Sequence, residues 1–389
     1  MRLPDNILAA MEILEDGGFE SYVVGGCVRD AMMGITPHDY DLTTSATPEE
    51  MLEIFSDFRI IETGLKHGTV TVVIENENIE ITTFRVDGEY SDNRHPDSVK
   101  FTKKLEDDLS RRDFTVNAMA YSPKSGIVDL FSGKDDLKKK IIRCVGDPDE
   151  RFNEDGLRIL RGLRFASQLG FSIDDKTADS IKENRCLLEN ISVERIYAEF
   201  TKLLCGKTPG DIIENYRDVI SVFLPCEDDY YGFSDSNNCK SVRYAYFLRN
   251  CKNSAEIMRN LRSDNETIKT VSDLVRLWKE NFDSVKSVRY LLKDVGYETA
   301  EKLILLMEMS GRNVTFLKEN LSKQKNACVT LKDLEITGAD LLEIGARPGK
   351  TMGDILDALL DGVICDRLKN ERVALLEHSK TLLDNSFDA

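Results

Sequence analysis

Two aspartates spaced i, i+2, Asp39 and Asp41, follow closely on the run Gly25-Gly26-Cys27-Val28-Arg29-Asp30. Side chains two apart on a strand share a face, so both carboxylates can offer hard oxygen ligands to the same pair of divalent cations. Two such cations can activate an attacking hydroxyl and stabilise a departing pyrophosphate. Adjacent glycines let backbone N–H groups approach phosphate oxygens unobstructed, and Arg29 supplies a cation for phosphate. Two acids flanking a tyrosine are common in loops. Together with a glycine turn and an arginine they form a complete set for holding a nucleoside triphosphate and its metal ions. Glu80, within Ile79–Phe84, is a candidate third catalytic carboxylate facing Asp39 and Asp41; the plain alternative is an exposed strand glutamate.

Arg111-Arg112-Asp113-Phe114-Thr115-Val116-Asn117 is a second dense element. The planar fork of arginine suits a triphosphate. Asp113 can accept from a ribose hydroxyl, and Asn117 can donate or accept there. Asp113 can equally cap a helix N-terminus. Spacing alone leaves open which of Arg111 and Arg112 faces inward. The third element is Glu154-Asp155-Gly156-Leu157-Arg158-Ile159-Leu160-Arg161-Gly162-Leu163-Arg164. Its arginines at i, i+3 and i+6 form a ridge beside an apolar stripe. Asp155 accepts and Arg158 donates, so together they can imitate a complementary base edge. Cytosine and adenine carry an exocyclic amine for the carboxylate; uracil and guanine present a carbonyl, which it would repel. The competing role is an intrahelical ion pair worth a few tenths of a kcal/mol.

These residues need a scaffold. Residues 4–18 have helical periodicity and end at Gly17-Gly18. Phe19–Val24 is a strand entering the glycine turn, Val28–Met33 a short helix and Asp39–Thr43 a second strand. Thr47-Pro48 caps a helix running to Phe55. Gly68–Ile74 and Ile79–Phe84 flank the turn Glu75–Asn78 as a hairpin. Tyr90–Ser98 is polar, holds Pro96 and reads as a mobile loop. From about residue 135 strand signals nearly vanish and helices dominate, among them 154–169, 192–205, 284–294 and 297–309, with breaks near Thr208-Pro209 and Thr330.

The 389 residues allow more than one domain. No apolar stretch approaches the roughly 20 residues that span a bilayer, so no membrane association is expected. The N-terminus lacks a basic-then-apolar secretory pattern. Nine cysteines without a Cys-x-x-Cys pair fit neither a zinc site nor a disulfide framework, and point to the reducing cytoplasm. The net charge of −17 speaks at first against a nucleic-acid partner. However, residues 1–99 hold twenty acidic and six basic residues, a net of −14, leaving −3 for the remainder. A nucleic acid would therefore lie along the later part of the chain, where Lys138-Lys139-Lys140 and Arg158, Arg161 and Arg164 can meet phosphates.

With these elements in place the chain resembles the class II, bacterial-type CCA-adding tRNA nucleotidyltransferases over essentially its full length. Gly25–Arg29 with Asp39 and Asp41 resembles the family's first motif, and Arg112–Asn117 the second. Asp129-Leu130-Phe131-Ser132-Gly133 resembles the hinge-like third, where the family more often has paired glycines. Glu154-Asp155-x-x-Arg158 resembles the base-reading fourth, and Ile191–Arg195 opens a helix like the fifth. Thr337–Leu342 and Arg347–Gly353 resemble the family's tail.

The resemblance implies an α+β chain: a nucleotidyltransferase-type head with a small mixed β-sheet and helices, then an elongated all-α neck, body and tail. The implied divisions are 1–140 for the catalytic head, 141–208 for the neck with the base-reading motif, 209–330 for the body and 331–389 for a tRNA-binding tail. It implies two Mg²⁺ ions on Asp39 and Asp41. Gly25, Gly26, Arg29, Arg112, Asp113 and Asn117 would hold the nucleotide. Asp155 and Arg158 would pair with CTP or ATP, and Arg161 and Arg164 would complete the pocket. A tRNA 3′-hydroxyl would attack the α-phosphate without a nucleic-acid template, and the helical body would clamp tRNA by shape. Among relatives, CC-adding enzymes have a shortened loop where Asp87–Lys100 is long here, and poly(A) polymerases tend to be basic. An A-adding specialist is the nearest alternative. A nucleotide- or RNA-binding protein without transferase activity is disfavoured by the intact Asp39/Asp41 pair. The sequence leaves the oligomeric state, monomer or homodimer, open.

Overall fold

The computed structural model describes residues 1–62, 64–88, 98–224 and 239–387. The loop expected over Tyr90–Ser98 lies, apart from Ser98, outside the described residues. The chain forms two compact units, Met1–Asp235 and Ser236–Ala389.

The first unit opens with helix α1 (Asp5–Asp16), whose Ile7, Ala10, Met11 and Leu14 recur at helical spacing and are buried. Strand β1 (Ser21–Val24) runs into helix α2 (Gly26–Met32), and β2 (Asp41–Thr44) follows. Helix α3 (Pro48–Ile54) starts on a capping box between Thr47 and Glu50, with proline in its first turn. Then come β3 (Arg59–Ile61), β4 (Thr69–Ile74), β5 (Glu77–Thr83), β6 (Arg85–Asp87) and β7 (Val99–Phe101). The β4–β5 loop is only Glu75-Asn76, shorter than the expected four-residue turn, and both residues have positive φ (53° and 65°), as a tight hairpin twist demands. Helix α4 (Leu105–Ser110), a single 3-10 turn (Thr115–Asn117), β8 (Met119–Ser122), β9 (Gly126–Asp129) and α5 (Gly133–Lys139) complete the head.

Seven strands form one mixed sheet in the order β3-β4-β5-β2-β1-β8-β9. Only β2 and β5 pair in parallel. Ile7, Met11, Val23, Leu42, Phe55, Val70, Val72 and Ile81 sit in the core between this sheet and its helices. Beyond the head, β10 (Ile141–Ile142) pairs with β11 (Ser172–Ile173), a two-residue parallel contact that the sequence pattern does not announce. Around it lie α6 (Pro148–Glu154), α7 (Leu157–Leu169), α8 (Asp175–Glu183), α9 (Val193–Leu204), α10 (Pro209–Asn215) and α11 (Arg217–Ile220).

The second unit contains only helices among its described residues: α12 (Lys240–Phe247), α13 (Ser254–Asn260), α14 (Asn265–Leu277), α15 (Val285–Met309), α16 (Thr315–Lys323), α17 (Gly338–Glu343), α18 (Lys350–Ile364) and α19 (Arg372–Phe387), with a 3-10 turn at Leu331–Asp333. Helix α15 is interrupted at Gly296 (φ 77°, ψ 172°), between the two separate helices expected there. Leu341, Ile355, Leu359, Ile364 and Leu375 form the core of its final helices. No described helix is long and apolar enough to cross a membrane.

Candidate active site

The sheet register brings the catalytic candidates together. Val24, the last residue of β1, pairs with Asp41, the first of β2. Leu42 pairs with Ile81, so Glu80 stands level with Asp41 on the neighbouring parallel strand. Leu42 and Ile81 face the core, which turns Asp41 and Glu80 to the opposite side together. Asp39 does not share a strand with Asp41, contrary to expectation. Strand β1 ends at Val24, opposite Asp41, so the residues before Asp41 lose that antiparallel neighbour. Asp39, Asp41 and Glu80 nonetheless line one cavity of about 1070 Å³, along with His38, Glu75 and Glu77.

Asp41 is still reached by solvent, yet the protein around it strips much of its hydration and pushes its carboxyl above the usual range; Arg112 pulls it down and Asp39 adds to the rise. The two neighbouring carboxylates offer the hard oxygen donors that a magnesium-like cation prefers. Among the described residues no three His, Cys, Asp or Glu side chains are grouped as a metal cage. Burial, with Asp41 nearby, pushes the Cys27 thiol up to about 11, and Cys27 packs in the core.

The glycine turn is built around an arginine. Gly25 has φ 79° and ψ −130°, a conformation open to glycine, and its N–H donates to the Met119 carbonyl at 3.2 Å. A Cβ on Gly25 would stand 3.0 Å from Nη1 of Arg112. Arg112 is therefore the inward member of the arginine pair. Arg111 reaches Asp108 by two bonds, 3.0 and 2.7 Å long, and Asp87 at 3.7 Å. Asp108 also takes Arg112 at 3.3 Å. Burial would raise the Asp108 carboxyl, but the two guanidinium groups hold it below its ordinary value. Asp108, which sequence reasoning missed, ties the two arginines together. Its spacing, i+3 and i+4 to the two arginines on one helical turn, was the available signal.

The other nucleotide candidates form one hydrogen-bonded chain. Arg29 donates to Asn117 Oδ1 at 2.6 Å and to Asp30 at 2.9 Å. Asn117 donates to Asp113 Oδ1 at 3.4 Å. Arg161 donates to Asp113 Oδ2 at 2.8 and 2.6 Å. The Phe114 N–H donates to Asp113 Oδ1 at 2.9 Å, but Asp113 caps no helix: the 3-10 turn that follows has Phe114 at its cap position and no side-chain cap. Burial alone would raise the Asp113 carboxyl; Arg161, with Arg158 behind it, holds it down at about 2. The Phe165 ring underlies this network. Arg164 lies 3.8 Å from its centroid, Arg29 5.3 Å and Arg161 5.4 Å. Burial lowers the Arg164 guanidinium to about 10, against the pull of Glu199, 2.6 Å away. The head residues Arg29, Asn117 and Asp113 are thus joined to Arg161, Arg164 and Phe165 on α7.

Asp155 and Arg158 are not on one continuous helix. Asp155 ends α6 in an extended conformation (φ −141°, ψ 104°), and α7 begins at Leu157. Asp155 Oδ1 accepts from the Leu157 N–H at 3.0 Å, trading helix continuity for a local cap. Its Oδ2 accepts from Arg195 at 2.8 Å. Arg158 pairs with Glu154 and donates to the carbonyls of Arg151 and Arg111, both at 3.1 Å. The two base-reading candidates are neighbours, each engaged by another partner, and the intrahelical ion pair between them does not form.

Three family models match the chain: the poly A polymerase head domain over residues 21–143, a probable RNA- and SrmB-binding site of polymerase A over 170–219, and a putative tRNA nucleotidyltransferase domain 2 over 242–378. A protein of Ligilactobacillus salivarius named CCA-adding enzyme is 38% identical over 400 residues, covering 98% of each chain. The crystal structure of the Bacillus stearothermophilus CCA-adding enzyme in complex with CTP is similar with a TM-score of 0.83 and 29% identity, over 99% of this chain and 100% of that one. The Thermotoga maritima CCA-adding enzyme complexed with tRNA-CCA shares the fold, with a TM-score of 0.71 at 24% identity, over 98% and 97%.

Proposed function

The chain belongs to the CCA-adding enzyme family of tRNA nucleotidyltransferases, and from that premise we propose how its own residues add C, C and A to the tRNA 3′ end from CTP and ATP. The observation that carries the reading is the joining of Arg29, Asn117, Asp113 and Arg161 into one network, within the same unit as Asp39, Asp41 and Asp155. The 3′-hydroxyl of tRNA attacks the α-phosphate and pyrophosphate leaves. Chemistry in this family is metal-dependent. We assign Mg²⁺ to Asp39 and Asp41, where, when bound, it would favour the ionised hydroxyl and stabilise the leaving pyrophosphate.

Arg112 and the Gly25-Gly26 turn hold the triphosphate, with Arg29 kept in place by Asn117 and Asp30. Glu80 adds a third carboxylate to the acidic cavity. Asp155 accepts from the exocyclic amine of cytosine or adenine, and Arg158 donates to the adjacent ring acceptor. Arg161 and Arg164 shape the wall of the base pocket through Asp113 and Phe165. We assign residues 1–140 to catalysis, 141–208 to base reading, and 209–330 and 331–389 to holding tRNA by shape and phosphate contacts. Nine cysteines without a Cys-x-x-Cys pair support a cytoplasmic setting.

The test is incubation of purified protein and Mg²⁺ with tRNAs ending at the discriminator base, at C and at CC, with CTP, ATP or both. Products that end in CCA and stop there are expected. Extension of the CC-ended tRNA alone, by one A, would make the protein an A-adding specialist. Long A tails would make it a poly(A) polymerase, and no incorporation would leave only nucleotide binding.

A further inference from the structure

Asp155 sits in the two-residue link between α6 and α7, outside both helices. The link's backbone is wedged: a Cβ on Gly156 would stand 3.0 Å from Cβ of Leu187 and 3.1 Å from its carbonyl oxygen. The carboxylate itself has two anchors, the Leu157 N–H on Oδ1 and Arg195 Nη2 on Oδ2. The first is local and fixes one oxygen. The second comes from forty residues away, on the first turn of α9, and sets the rotation of the carboxylate plane. Both side chains are mostly buried, with 17% of Asp155 and 22% of Arg195 exposed.

We propose that Arg195 is a positioning residue for base selection, aiming the remaining lone pairs of Asp155 at the exocyclic amine of the incoming nucleotide. A carboxylate has about four acceptor directions. Two are taken by Leu157 and Arg195, so the rest point where this pair of anchors leaves them. Without Arg195 the plane turns about the Leu157 bond. The site then loses its fixed acceptor, and with it the penalty for a carbonyl at that position. Arg195 does not touch the reacting atoms. It acts through Asp155, and the inference rests on Asp155 being the base reader.

Single-nucleotide incorporation with CTP, ATP, UTP and GTP, comparing wild type with Asp155→Ala, Arg195→Ala, Arg195→Gln and Arg195→Lys, tests it. For Arg195→Ala we expect KM for CTP and ATP to rise about tenfold and the preference for CTP over UTP to fall about tenfold. Its kcat at saturating CTP should stay within about twofold, and Arg195→Lys should recover most of the preference. Should Arg195→Ala fail to fold by circular dichroism, Arg195→Gln, which keeps part of the stem and removes the charge, decides by the same readout. A folded variant that loses kcat with its nucleotide preference unchanged would overturn the role of Arg195. If Asp155→Ala also left the preference unchanged, the base-reading assignment itself would fail; if Asp155→Ala relaxed it and the Arg195 variants did not, only this inference would.

Discussion

Arg161 donates to a single oxygen of Asp113 through both Nε and Nη2, at 2.8 and 2.6 Å, across 48 residues of sequence. Asp113 stands just before the 3-10 turn that carries Asn117, and Arg161 is on the second turn of α7. The contact therefore joins the segment that orients Arg29 to the helix that carries Arg158.

Removing one partner of such a buried pair leaves the other uncompensated. Asp113→Asn should destabilise the first unit by about 3 kcal/mol, read from chemical denaturation at neutral pH. The Asp113 carboxyl lies at about 2 in the folded protein, below the usual carboxylate value, so the folded state binds its proton more weakly than the unfolded chain does. Its contribution is complete above about pH 4 and is lost as pH falls through about 2. The stability gap between wild type and Asp113→Asn should accordingly narrow across that window. A gap that is constant from pH 6 to pH 2.5 would contradict the pairing.

Asp41→Ala should abolish turnover while sparing much of the nucleotide affinity, because Arg29 and Arg112 are untouched. A fall in kcat on the order of 10³-fold or more is expected, comparable to the loss of a principal transition-state stabiliser. Nucleotide binding by calorimetry should weaken far less. Chelation should silence the wild type, with Mg²⁺ restoring it. Full activity in Asp41→Ala would remove the metal assignment.

Asp155→Ala should relax selectivity more than it slows the chemistry. A well-formed base contact is worth about 1–3 kcal/mol of discrimination, so UTP and GTP should gain roughly ten- to hundredfold relative to CTP and ATP in competition assays. Unchanged discrimination would exclude Asp155 as a reader.

Gly133→Ala should be costly for a purely spatial reason. A Cβ there would fall 2.3 Å from the Thr115 carbonyl oxygen, which is backbone and cannot swing aside. A loss of about 1–3 kcal/mol is expected in thermal denaturation. Ser132→Gly next to it should be tolerated, because Ser132 already occupies a left-handed conformation (φ 61°) that glycine adopts freely. If Gly133→Ala melted like the wild type, α5 would have to shift away from Thr115 at no cost.

Much of this protein is legible from residue types and short spacings. Gly25-Gly26, the acids at 39 and 41, and the arginines at 158, 161 and 164 each carry local chemistry, and local chemistry needs only neighbours in sequence. The capped start of α3, the β4–β5 hairpin and the interruption at Gly296 were readable for the same reason: turn residues and hydrophobic periodicity act over a few residues. Tertiary structure decided what depends on distant segments meeting. Parallel pairing of β2 with β5 set Glu80 level with Asp41, which no periodicity within either strand specifies. Asp108 holds both Arg111 and Arg112, and only the closure of the Gly25 turn on Arg112 decided which of them faces inward. The break at Asp155 and its bond to Arg195 arose because the local cap on Leu157 and the approach of α9 together outweighed the few tenths of a kcal/mol that an Asp155–Arg158 helical pair would have offered.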